Sequence, residues 1–175
     1  MKPVILQPPI KIWYKTLPGF SKIIWPILDI KLSINSFVLP QPIFSLVDSG
    51  ASISIIHPQI AEILGFDRER LGKSRSSGKS ASGDYKSWIL PNLVEVNIYG
   101  HLFNFRFEVL DNPNLMWPCI LGEDSIFQVA KVDFSKFRGY FELRIRLKED
   151  KSRSLAELAK NTYGAWKEPV RKISS

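Results

Sequence analysis

Cysteine occurs once in the 175 residues, at Cys119, and histidine only at His57 and His101. One thiol excludes an intrachain disulfide and a thiolate zinc cluster. Two distant imidazoles do not make up the difference, so neither a metal nor another cofactor is expected. Long apolar runs are missing too: Asp29 and Lys31 interrupt the longest strand-like segment, far short of a membrane span. The N-terminus has one lysine and then prolines, not the apolar centre of a signal peptide. These absences lead to the expectation of a soluble, cytoplasmic chain without membrane contact. The net charge is +7, but the basic residues are scattered rather than massed. Scattered Lys and Arg usually form a solvated surface, which argues against nucleic acid as a partner. The length fits one domain with a real core.

What the chain does have is a run of strand formers that ends in a carboxylate. Phe44-Ser45-Leu46-Val47 delivers Asp48, then Ser49, Gly50 and Ala51. An Asp presented at a glycine-containing turn is being positioned, although Asp, Ser and Gly are also ordinary turn residues. Before it, residues 1–22 are rich in proline and read as an extended arm with one short strand around Ile10–Tyr14. From Ile23 to Ile34 apolar residues alternate, with Leu28, Ile30, Leu32 and Ile34 on one parity. That is period two, a half-buried antiparallel strand turning at Asn35-Ser36.

After the turn, Pro58 stands where a helix accepts proline and Gly65 where helices stop, so a short helix carries Ile60, Ile63 and Leu64. His57 is most simply a cap or a surface residue; no nucleophile arrangement makes it a base. Between Asp67 and Trp88 the chain is polar and basic, open to three readings: a plain loop, a phosphate loop, or a hairpin tip. The phosphate loop fails because Lys73 stands where its first glycine must be. Two alternating segments follow, Leu93–Tyr99 and Leu102–Leu110, turning at Gly100-His101. Then come an apolar strand ending at Gly122 and a short helix for which Asp124 is the better cap. The final strands are Lys131–Phe134 and Tyr140–Leu147. From Lys148 the tail is charged, with one helical patch at Leu155–Lys160.

In order along the chain, Leu46-Val47-Asp48-Ser49-Gly50-Ala51-Ser52, the Ile56–Gly65 helix and Cys119-Ile120-Leu121-Gly122-Glu123-Asp124 resemble the retropepsin-like aspartic proteases. The match covers residues 23–147, leaving an arm (1–22) and a partly helical tail (148–175) outside it. The resemblance implies an all-β fold, a closed barrel with short helices after the D-S-G loop and after I-L-G, acting as a homodimer. Each subunit would lend one Asp48, with Ser49 bonding across the axis and Gly50 keeping the carboxylates close. Ala51, Ile120, Leu121 and Gly122 would support the loop. Ser80, Ala81, Ser82 and Gly83 would form the tip of a flap spanning residues 77–85. The implied activity is hydrolysis of protein or peptide substrates by water held between two carboxylates, without metal or covalent intermediate. The alternative is the same fold kept as a weak or inactive dimerisation or binding module. Where retroviral members carry an acidic residue after D-S-G-A and an Arg after the second glycine, this chain has Ser52 and Glu123. That ion pair cannot form, which leaves the dimer to other contacts.

Overall fold

The computed structural model describes residues 5–17, 19–20, 22–67, 71–72, 75–80, 83–112 and 114–147. The expected tail with its helical patch, and Ala81 and Ser82, lie outside the described residues. The chain divides into two compact units, Leu6–Arg146 and a second formed by Met1–Ile5 with Leu147–Ser175. Of the second, the described residues are Ile5 and Leu147, and the Ile5 carbonyl accepts the Leu147 N–H at 2.9 Å.

The larger unit is mostly β. Its elements are β1 (Ile10–Trp13), β2 (Ile27–Ile34), β3 (Phe37–Val38), β4 (Ile43–Val47), β5 (Ile55–Ile56), α1 (Pro58–Ile63), β6 (Arg75–Ser80) and β7 (Gly83–Ile89). There follow β8 (Val94–Ile98), β9 (His101–Phe105), β10 (Glu108–Leu110), β11 (Cys119–Leu121), α2 (Ile126–Val129), β12 (Ala130–Ser135), a 3-10 turn at Lys136–Arg138, and β13 (Tyr140–Ile145). One sheet runs β6-β7-β10-β5-β11-β4-β2-β8-β9, with β3 on β2; the other runs β1-β13-β12. The expected closed barrel is not found. Among the described residues the long sheet ends on β6 and β9, two different strands that do not pair, so it stays open.

β2 shows why the sheet needs cover on both faces. Leu28, Ile30, Leu32 and Ile34 enter the main core, as period two requires. Each is worth about 2 kcal/mol of transfer from water. Ile27, on the other parity, is equally buried, in a second cluster with Leu46 and Trp117. Trp25 and Trp117 meet edge-on there with centroids 5.2 Å apart. The turn after β2 has positive φ at Asn35 and Ser36, and the turn after β8 has it at Tyr99 and Gly100, one residue earlier than the sequence suggests. Such paired positive φ values match the twist of two-residue hairpins.

One strand assignment and one helix cap change. The run 102–110 is not one return strand: it breaks at Arg106-Phe107, and β10 leaves β8 to pair with β5 and β7. Phe107, fully buried, gives its carbonyl to Leu90 N–H at 2.9 Å, so the break is a corner filled by an aromatic ring. The cap of α2 is Ser125, not Asp124, and it caps without a side-chain bond. His57 does cap α1, accepting the Gln59 N–H on Nδ1 at 3.1 Å. The short strand of the arm, β1, lies against β13 of its own chain, Ile12 opposite Phe141.

Candidate active site

Asp48 stands one residue past β4, where the chain leaves the sheet. β11 runs between the two strands that flank this exit, parallel to β4 (Leu121 opposite Val47) and antiparallel to β5 (Ile120 opposite Ile55). The loop from Asp48 to Ser54 therefore has to pass the end of β11. The Asp48 N–H donates to the Leu121 carbonyl at 3.1 Å, and the Glu123 N–H donates to Ala51 at 2.8 Å. Within the loop the Gly50 N–H donates to Asp48 Oδ1 at 2.9 Å, which orients the carboxylate. A β-carbon on Gly50 would press on that oxygen at 3.3 Å. Asp48 is half-buried, and Ser49 and Gly50 are exposed.

Gly122 is where the two segments come closest. A β-carbon there would lie 2.5 Å from the Ala51 carbonyl oxygen and 2.6 Å from that of Ile53, a collision with backbone that cannot move aside. Glycine is needed here for close approach rather than for a turn.

The sequence reading missed the group that secures this crossing. Ser54, fully buried, accepts the Gly122 N–H at 2.9 Å and donates to Asp124 Oδ1 at 2.6 Å. Ser125, also fully buried, lies 2.5 Å from the Ser54 hydroxyl. The Ser125 hydroxyl is also within 3.3 Å of the Gly122 carbonyl, to which it can donate. Asp124 is thus tied to the loop that follows Asp48. The only linear signal was the acid two residues after Gly122, and nothing in the string directs it to residue 54.

Of the expected site residues, Asp48, Gly50, Ala51, Leu121 and Gly122 are brought into direct hydrogen-bonded or close contact. Ile120 half-buries its side chain against the second cluster. Ser80 and Gly83, the described members of the expected flap, pair with each other in the β6–β7 hairpin, where Gly78 pairs with Tyr85. Cys119, directly behind the loop, has no access: burial pushes its thiol up to about 12. A thiol so held is not a nucleophile. Among the described residues no three His, Cys, Asp or Glu side chains are grouped as a metal site requires, and no helix is long and apolar enough to cross a membrane.

The same architecture is found in solved structures. A retropepsin-like aspartic protease from Rickettsia conorii aligns with a TM-score of 0.53 and 22% identity, over 77% of this chain and 98% of that one. The EIAV protease aligns at 0.43 with 18% identity, over 59% of this chain and 86% of its own. The retroviral protease-like domain of Ddi1 from Leishmania major aligns at 0.43 with 20% identity, over 71% and 96%. No family model matches the chain, and no curated protein matches it. The fold of this chain is the retropepsin-like aspartic protease fold.

Proposed function

We propose that the chain is an aspartic endopeptidase whose active site forms where two copies meet, each contributing Asp48. The observation that carries this reading is the clamp on the Asp48 loop. A carboxylate oriented by the Gly50 N–H, on a loop locked by Gly122 and Ser54, is more firmly positioned than a turn requires. The chain has one D-S-G triplet, so the second acid must come from a second copy.

Two carboxylates in contact cannot both ionise, so the pair shares one proton. The ionised member removes a proton from a water between them, and the water attacks the peptide carbonyl. The protonated member donates to the carbonyl oxygen; the roles then reverse to protonate the leaving amine. The hairpin β6–β7, residues 77–85 at its outer part, acts as the flap that covers an extended peptide and excludes bulk water. The arm (1–22) and tail (148–175) flank the catalytic unit.

The test is cleavage of an unstructured protein by the purified chain, greatest in mildly acidic solution, and its loss in Asp48→Asn with assembly unchanged. Equal cleavage by that variant rules the reading out. A second reading is the same fold kept as a weak or inactive dimerisation or binding module. That reading predicts a folded protein without turnover at any pH.

A further inference from the structure

The turn between β12 and β13 and the end of β1 leave large aromatic rings in water. The Tyr14 N–H donates to the Gly139 carbonyl at 2.9 Å, which holds the end of β1 against the 3-10 turn Lys136–Arg138. Phe137, in the middle of that turn, is 85% exposed. Trp13, opposite Tyr140 across the β1–β13 pair, is 63% exposed. Neither ring belongs to either core cluster.

A series of contacts joins the two rings into one surface. Trp13 meets Tyr140 edge-on with centroids 5.7 Å apart. Arg138 Nη1 donates to the Tyr140 hydroxyl at 3.4 Å, and the Arg138 guanidinium lies 5.1 Å from the centre of the Phe137 ring. Lys11 Nζ stands 4.3 Å over the Tyr140 ring, and Lys136, also exposed, precedes Phe137. Three cations therefore flank three aromatic rings. Among the described residues none of these cations makes an ion pair. Glu142, the carboxylate opposite Lys11, is 3.4 Å from Arg144 instead. A single exposed ring needs no explanation, but exposed rings joined to uncompensated positive charge mark a contact surface.

We infer that this tip makes a reversible contact with an anionic lipid bilayer, Phe137 and Trp13 entering between headgroups while Lys11, Lys136 and Arg138 meet lipid phosphates. Tryptophan and tyrosine rings favour the membrane–water boundary, having an apolar body and a polar edge. Lysine and arginine beside them are drawn to the negative surface of the leaflet. Position decides against the other anionic partner. Phe137 stands almost wholly in solvent at the turn of a hairpin, where a yielding lipid surface can receive it. A single nucleic-acid strand instead stacks its bases on rings laid along a charged groove. The contact needs no spanning helix, whose absence underlay the expectation of no membrane contact. It is also independent of the reading of Asp48.

The test is co-sedimentation of the full chain with vesicles of phosphatidylcholine, with and without phosphatidylserine. Binding should require phosphatidylserine and fall as salt is added. Phe137→Ser should weaken it by about tenfold. Lys136→Gln should weaken it by about fivefold, with circular dichroism unchanged. Lys31→Gln removes the same charge from an exposed position on the other sheet and should change binding by less than about twofold. No binding, equal binding to both kinds of vesicle, or an equal loss in the two lysine variants overturns the inference. Tighter binding to a single-stranded oligonucleotide than to vesicles overturns it too. So does loss of self-association by Phe137→Ser without lipid, which would assign the ring to a protein contact.

Discussion

The Asp48 loop and the β6–β7 hairpin differ in how many partners hold them. The loop passes between two strands that both pair with β11. It is bonded at Asp48, Ala51 and Ser54 to the segment 121–124. At Gly122 there is no room even for a methyl group. Among the described residues the hairpin is anchored at its base. Ser87, Trp88 and Ile89 pair with β10, Ser87 and Trp88 are buried, Ser87 hydrogen-bonds Glu108, and the Lys86 carbonyl accepts the Asp111 N–H at 2.8 Å. From Gly83 to Tyr85 the strand partner of β7 among the described residues is β6, itself an edge strand. A two-stranded ribbon is marginal alone, whereas a loop bonded at several points moves only if several bonds break together. On the two-copy reading proposed above, a carboxylate that has to meet its twin gains from the first arrangement, and a cover that must open for substrate gains from the second.

The sharpest way to break this contrast is Gly122→Ala. The added methyl meets two backbone oxygens, and we expect a loss of about 5 kcal/mol, enough to empty the folded state in a urea titration. Trp88→Ala removes the main apolar anchor of the hairpin and should cost about 4 kcal/mol by the same titration. Ser54→Ala leaves the buried Gly122 N–H without its acceptor, for about 2 kcal/mol. Cleavage should fall further than this loss explains, because the Asp48 loop loosens while the fold persists. Gly78→Ala should barely shift the midpoint, under about 1 kcal/mol. Its new methyl meets only the Tyr85 ring, a side chain able to swing away. Faster amide exchange confined to 75–86 would show the hairpin loosening by itself. Least of all, an alkylating reagent should leave the native chain untouched at Cys119, whose thiol is pushed up by burial. Rapid labelling in the native state would mean that the clamped region opens as readily as the hairpin, and the contrast would fail.

How far these features were legible varies along the chain. The alternation of β2, the caps of α1 and the strand ending at Asp48 depend on neighbours a few residues apart, and local pattern reports them. The corner at Arg106-Phe107 was invisible because Phe103, Phe105, Phe107 and Val109 keep one unbroken alternation while the strand changes partners beneath it. Closure of the sheet was expected from the resemblance alone, and the residues could not test it: alternation says that a strand has an inner face, not whether the last strand meets the first. Asp124 was read as a helix cap because acids before short helices usually are caps. The hydroxyl it binds belongs to a residue seventy positions earlier.

By itself, then, the order of residues settled which segments extend, where they turn, and that a single acid is displayed after β4. Those outcomes follow from backbone sterics and side-chain period, which act over a few residues. Only the tertiary structure decided that Ser54 and Asp124 lock the crossing at Gly122, and that among the described residues the long sheet stays open and β12 is an edge strand. Each of these depends on which distant segment arrives alongside, and that is fixed by packing of the whole core rather than by any local preference.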